Sequence, residues 1–392
     1  MSIVLVLPLL LPVAAWSGWY AATKKGLKTS KKLSNSILPT GYVKGLNYIL
    51  NEQPDKAIDV FIRMLEVDED TVETHLALAG LFRRRGEVDR AIRIHQNLIA
   101  RPQLAQAQRV EALMALGKDY LCAGVYDRAE RIFIEASEYG GDAKVSSLNQ
   151  LLAIYLQQSA WQKALNILNQ LQQVTTKQMG RQVAHCYCQL FEEYIKVKQF
   201  KMANNCLKHA YAADKTLVRV SLLQGQLDFE LENYRQAIRA YKKVVEQDPA
   251  FISEIVTPVF KCYEKLGLLN QFYQYMGELL VEHPRTSIIF SIAQNIKLQR
   301  GEEAAIDFVT ELLSKHPSLK GLQYLIEWHL ELAYGKVKTK LSMLYEITNK
   351  LQENKPAYRC GTCGFAGKIL HWHCPSCKNW STTKPVCGIE GD

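Results

Sequence analysis

An alanine nine residues after an aromatic, with a further large side chain four residues on, recurs along the chain. The first three instances are Tyr48, Ala57, Phe61, then Phe82, Ala91, His95, then Tyr120, Ala129, Phe133, with Gly45, Ala79 and Gly117 three residues before each aromatic. Tyr155, Ala164, Leu168 and Tyr194, Ala203, Leu207 continue the series. Gly225, Ala237, Tyr241 and Ala293, Ala305, Val309 extend it, and between them Tyr263, Phe272, Met276 is a degenerate copy with phenylalanine in place of the alanine. The anchors at 57, 91, 129, 164, 203, 237, 272 and 305 are separated by 34, 38, 35, 39, 34, 35 and 33 residues.

A period near 34 residues is that of the tetratricopeptide repeat, two antiparallel helices joined by a turn. Small residues at the crossing let the two backbones approach, and an aromatic one turn away fills the space beside them. Turns at Arg85-Gly86-Glu87 and Glu232-Asn233-Tyr234 separate the helices of a unit, and Pro249, Pro284 and Pro317 stop second helices. The stretch Leu319 to Leu351 keeps helical periodicity without the signature, so it is expected to be a terminal helical pair capping the stack. The array is expected over residues 39–354, with about eight to nine repeats. A stack of helix pairs offers a long face for segments of other proteins rather than a pocket of convergent titratable groups.

A different pattern opens the chain. From Ser2 to Thr23 no side chain is charged, and 22 residues at about 1.5 Å each cover roughly 33 Å, enough to cross a bilayer. Pro8 and Pro12 are tolerated in membrane helices, and Trp16, Trp19 and Tyr20 gather at one end as rings do at a headgroup layer. Lys24, Lys25, Lys28, Lys31 and Lys32 follow at once, which by the positive-inside rule leaves the rest of the chain in the cytoplasm. A cleaved signal would need its positive charge before the apolar run, not after it. Residues 1–23 therefore read as a transmembrane anchor and 24–38 as a basic juxtamembrane linker.

Those five lysines change how the net charge of +9 is read. With residues 355–392 contributing a further +3, the long middle is close to neutral, and nucleic acid is not an expected partner. The seven histidines at 75, 95, 185, 209, 283, 316 and 329 are scattered over different repeats and read as partly buried or surface residues. Cys122, Cys186, Cys188, Cys206 and Cys262 lie on repeat helices and read as small hydrophobes. Arg83, Arg84 and Arg85 sit at a helix end, where cations complement the dipole; a solvated turn and a docking patch are both open readings. Gly-x-x-x-x-Gly-Lys, His-Glu-x-x-His and Gly-x-Ser-x-Gly are all absent, so no enzyme is expected.

The last segment, 355–392, carries the chemistry. Cys360-Gly-Thr-Cys363 and Cys374-Pro-Ser-Cys377 are separated by ten residues, and two such knuckles supply four soft thiolates for one tetrahedral ion at about 2.3 Å. Four sulfurs suit zinc and iron alike, with zinc the expected ion. A closed shell of four thiolates has no position for water or substrate, so a structural role is expected. His371 and His373 are spare beside a complete set of cysteines, and Cys387 lies outside the pattern. Phe365, Trp372 and Trp380 are many aromatics for so short a segment and imply a face packed on the helices.

The anchor, array and tail together resemble the lipopolysaccharide assembly protein B family of Gram-negative bacteria. The most specific pieces are Leu-Pro-Val-Ala-Ala at 11–15, Arg-Gly-Glu-Val-Asp-Arg-Ala-Ile-Arg-Ile-His-Gln at 85–96 and Trp-His-Cys-Pro-Ser-Cys at 372–377. The resemblance implies an all-α fold with an N-terminal transmembrane helix, a tetratricopeptide-repeat superhelix and a small rubredoxin-like metal-binding domain, with Cys360, Cys363, Cys374 and Cys377 as ligands. It also implies a single-pass inner-membrane adaptor facing the cytoplasm. Such an adaptor promotes degradation of the lipid A deacetylase LpxC by the membrane AAA+ protease FtsH, and an inner-membrane lipopolysaccharide sensor opposes it. The competing reading is a membrane-tethered, rubredoxin-like electron-transfer protein holding iron, which leaves the repeats without a role.

Overall fold

The computed structural model describes residues 40–392 apart from 52, 54, 55, 62–71, 177 and 354. The apolar segment 2–23 and the basic linker lie outside the described residues; within them, no helix is long and apolar enough to cross a membrane. The chain divides into two compact units, one ending at Ile154 and the other beginning at Tyr155.

In the first unit α1 (Thr40–Leu50) is followed by helical residues 56–61, then α2 (Val72–Arg84) with α3 (Val88–Ile99), and α4 (Gln106–Cys122) with α5 (Tyr126–Ser137). Helix α6 (Gly141–Gln157) runs across the boundary. The second unit continues with α7 (Trp161–Val174), then the pairs α8 (Gly180–Lys196) with α9 (Phe200–Ala213), and α10 (Val218–Glu230) with α11 (Tyr234–Gln247). A single 3₁₀ turn (Pro249–Phe251) leads to α12 (Ile252–Lys265) with α13 (Leu269–Glu282), and α14 (Thr286–Arg300) with α15 (Glu302–Lys315) follow. The last pair is α16 (Leu319–Leu332) with α17 (Gly335–Glu353).

The periodic anchors are where the helices close on one another. Ala57, Ala91, Ala129, Ala164, Ala203, Ala237, Phe272 and Ala305 are all 0% exposed. Opposite them, residue size is reciprocal in five of the eight units, whereas Leu152 with Leu168, Phe191 with Leu207 and Phe260 with Met276 are large on both sides. A Cβ added to Gly45, Gly117 or Gly225 would lie 2.5–2.6 Å from the rings of Phe61, Phe133 and Tyr241, so the ring occupies the volume the glycine vacates. Where the first helix carries alanine, at Ala79 and Ala293, the residue sixteen positions on is the smaller His95 or Val309. In those five units the trade keeps the helices close while the interior stays at near-crystalline density.

The turn inside six of the units is also periodic. Gly86, Gly124, Ser159, Lys198, Glu232 and Gly267 all have φ between 56° and 87°, each five residues before its anchor. This left-handed residue ends the first helix in a Schellman turn. The next N–H reaches back to the carbonyl of the signature aromatic, as in Glu87 N to Phe82 O at 2.9 Å, Val125 N to Tyr120 O at 2.9 Å and Gln199 N to Tyr194 O at 2.9 Å. The aromatic thus serves twice, since in four units a cation one residue before the anchor lies over its ring: Lys56 over Tyr48, Arg90 over Phe82, Arg128 over Tyr120 and Lys163 over Tyr155.

Three expectations need correction. Cys122 is exposed, whereas Cys186, Cys188, Cys206 and Cys262 are buried; it closes α4 at its C-terminus, beyond the packed face. His95 and His185 are fully buried, at 0% exposure, rather than partly buried or on the surface. The last pair is helical, as its periodicity implies. Helix α16 buries Gly321, Ile326 and Trp328, but α17 buries nothing and leaves Val337, Met343, Leu344, Ile347 and Leu351 exposed. The fold is not helical throughout, because the tail is a three-stranded antiparallel sheet, β1 (Tyr358–Cys360), β2 (Ala366–Gly367) and β3 (Thr383–Pro385), in the order β2-β1-β3.

Candidate metal centre and its seat on the repeats

The sheet positions two knuckles of the same construction. In the first, Gly364 N donates to Cys360 O at 3.0 Å; in the second, Lys378 N donates to Cys374 O at 3.0 Å. The residue after each second cysteine is left-handed, Gly364 at φ 75° and Lys378 at φ 57°. Each turn folds its two thiols toward the other pair.

The four sulfurs of Cys360, Cys363, Cys374 and Cys377 lie within 4.8 Å of one another. Sγ–Sγ separations are 3.8 Å for Cys360 and Cys377 and 3.7 Å for Cys363 and Cys374, far outside disulfide bonding. A tetrahedron with metal–sulfur bonds of about 2.3 Å has edges of about 3.8 Å, so the set fits one tetrahedral ion. The electrostatics agree. Hydrogen bonding from Thr382, 3.2 Å away, and from the Cys363 N–H lowers the Cys360 thiol to about 6, and the Phe365 N–H lowers Cys363. At Cys377 the Asn379 N–H favours the thiolate, but burial and the three neighbouring thiols outweigh it and raise the group to about 11. Four thiolates this close need a cation to hold them ionised.

His373 is not drawn into the cluster; its Nε2 lies 2.9 Å from Lys378 O. His371 meets the ring of Phe365 with centroids 6.0 Å apart. Cys387 is exposed, with its thiol 3.5 Å from Pro385 O. Of the three tail aromatics, Phe365 makes this local contact, and the two tryptophans turn to the helices.

The tail lies across the N-terminal parts of five successive first helices. On α8, His185 Nε2 is 2.6 Å from Ser381 Oγ and the imidazole stacks on Trp380 with centroids 4.5 Å apart. On α10, the guanidinium of Arg219 lies 5.6 Å from the centre of the Trp372 ring. Phe251, just before α12, stacks on Trp372 at 5.4 Å, and Glu254 accepts a 2.8 Å hydrogen bond from the Tyr358 hydroxyl. Lys384 pairs with Asp248 at 2.6 Å. On α14, Ser287 donates its N–H and hydroxyl to the Asp392 carboxylate at 2.7 and 2.6 Å, and Leu319 N of α16 donates to Ile389 O at 3.0 Å. Leu370 and Trp372 also pack on the apolar core that α10 to α14 share.

Sequence reasoning missed the polar centre of this seam. His185 is 0% and Arg219 1% exposed. Arg219 donates to Glu192 at 2.6 Å and lies 3.4 Å from His185 Nδ1. A cation facing Nδ1 makes that nitrogen the acceptor, so Nε2 carries the proton given to Ser381. Burial, reinforced by Arg219 and Arg181, lowers the His185 pKa to about 2, against a small opposing effect of Asp214. In the first unit Arg83 is engaged too, bonded to buried Asp119 at 2.7 Å; His95 Nδ1 holds the other oxygen of that carboxylate at 2.5 Å.

Comparison with known proteins agrees with this architecture. The family described as rubredoxin metal binding domain matches residues 358–385, and a tetratricopeptide repeat family matches residues 74–106. Lipopolysaccharide assembly protein B of Escherichia coli (strain K12) is 38% identical over 384 residues, spanning 98% of this chain and 98% of its own. The protein of the same name from Haemophilus influenzae is 33% identical over 397 residues, spanning 97% of this chain and 98% of its own.

Proposed function

The chain belongs to the lipopolysaccharide assembly protein B family, and from that premise we propose that it is a non-catalytic adaptor in lipopolysaccharide assembly. It is held at the inner membrane by residues 2–23, faces the cytoplasm, and brings the deacetylase LpxC to the protease FtsH; an inner-membrane lipopolysaccharide sensor opposes it. The observation that supports an adaptor most is the seating of the metal module. Its sulfur cluster lies on a sheet clamped across five first helices, an arrangement that builds a binding surface rather than a reaction centre.

A bound ion would supply a rigid cross-link between the two knuckles and no open coordination position. The chain's own residues do the rest. Cys360, Cys363, Cys374 and Cys377 hold the ion, Thr382 and the knuckle N–H groups stabilise the thiolates, and Trp372, Trp380 and Asp392 fix the module to the repeats. Tethering then raises the effective concentration of a weakly held substrate beside a membrane protease into the millimolar range typical of short linkers. Cross-linking in membranes followed by identification of the attached proteins tests the proposal. Recovery of FtsH and LpxC is expected; recovery of redox enzymes instead would replace it with the electron-transfer reading.

A further inference from the structure

Beside the seam between tail and repeats is a cleft of about 960 Å³. One wall comes from the end of α7, the start of α8 and the residues after α9; the other comes from the tail just beyond the second knuckle. Its chemistry differs from that of an ordinary small-molecule pocket, which is mostly apolar. Gln172, Gln182 and Asn379 present amides, Arg181 and Lys378 present cations, and Asp214, which accepts the Thr216 hydroxyl at 2.7 Å, is the acid among the lining residues. The Oε1 atom of Gln182 is buried and has no partner among the described residues. Arg181 is 60% exposed and reaches Asp214 only at 3.3 Å, and Lys378, also exposed, has no ion pair among the described residues. Closely spaced amides match the alternating N–H and C=O groups of an extended backbone, and two cations against the single acid Asp214 leave an excess positive charge that calls for a carboxylate.

We infer that this cleft binds an extended polypeptide segment carrying an acidic side chain, and that repeats and tail build it jointly. The inference rests on the adaptor reading and gives it a place. It also gives the metal a task in recognition: Lys378 and Asn379 follow Cys377 directly, so loss of the ion removes one wall while leaving the helices folded.

The test uses the full chain in detergent and two fluorescein-labelled pools of degenerate octapeptides, one with a fixed central Glu-Glu and one with a fixed central Lys-Lys, read by fluorescence anisotropy. The Glu-Glu pool is expected to bind at least tenfold more tightly. Arg181→Gln and Lys378→Gly are each expected to weaken it about tenfold, as loss of a charge-assisted hydrogen bond does. Glycine suits the left-handed backbone at 378, and metal content and circular dichroism verify that both variants fold. Chelating the metal is expected to abolish binding while helicity persists. Equal affinity for the two pools, no binding of either, or binding indifferent to both substitutions in metal-loaded protein would overturn the inference. The adaptor reading stands or falls separately, on the cross-linked partners.

Discussion

Acidification should loosen the tail from the repeats through one residue. His185 is neutral in its buried position, with a pKa lowered to about 2 by burial and by Arg219, while an exposed histidine titrates near 6.5. The sign follows from which state binds the proton. Above about pH 6.5 neither state is protonated and the contribution is intact; below it the opened state gains a proton that the closed state refuses, so closure weakens as pH falls toward the buried value. At pH 5.0 the opened state is favoured by 1.5 pH units at about 1.4 kcal/mol each, roughly 2 kcal/mol or thirtyfold in the opening equilibrium. Any buried value below about 4 gives the same result, so the size of the shift hardly matters. Hydrogen exchange of the full chain followed by mass spectrometry reads it in segments covering 372–385, where Ser381 N is bonded to Trp372 O at 2.8 Å. After correction for intrinsic rates, opening should rise roughly thirtyfold between pH 7.5 and 5.0, and His185→Gln should remove that rise while retaining whatever the thiolates contribute. An equal pH dependence in the variant and the parent would refute the reasoning.

Other consequences are equally direct. Cys360→Ser or Cys374→Ser should abolish metal binding and ordering of residues 358–385 with little loss of helical circular dichroism, because structural zinc supplies about 10–16 kcal/mol to such modules; full regulatory activity with all four cysteines replaced would contradict this. Metal analysis of purified protein should find about one ion per chain and no visible absorption if the ion is zinc, whereas a red protein would identify iron. Gly117→Ala should destabilise the array by about 1–2 kcal/mol, since its Cβ would lie 2.6 Å from the Phe133 ring. Adding Phe133→Val should recover part of that loss, in the manner of the Ala293 and Val309 pair; strictly additive effects in denaturant titrations would count against reciprocal packing. Removing residues 1–23 should lengthen the half-life of LpxC at native expression while the remaining chain stays folded.

The parts of the fold readable in the sequence are those that repeat. Each second-helix anchor is fully buried and seven of the eight are alanine, so those seven copies state the same steric demand. The four cysteines were equally legible because a tetrahedral ion dictates both residue type and spacing. Local geometry without a unique residue requirement was less visible. The left-handed turn falls on glycine at 86, 124 and 267 but on Ser159, Lys198 and Glu232 in other units, where the Schellman turn tolerates the strain of about 1–2 kcal/mol. The tail strands, of three, two and three residues, are too short to show an alternating pattern. That the tail packs on the helices is legible in Trp372 and Trp380, but not where it seats: His185 and Ser381 are 196 residues apart, and nothing periodic marks either. A buried arginine in a repeat helix, Arg219, was the available signal, since such a cation needs partners from somewhere.

The half-life of LpxC, followed by pulse-chase in cells lacking the chain and in cells with it restored, tests the account most directly. The account predicts a long half-life without the chain, a short one on restoration, and no shortening when the restored chain carries Cys360→Ser or when FtsH is inactive. An LpxC half-life indifferent to the chain would contradict it.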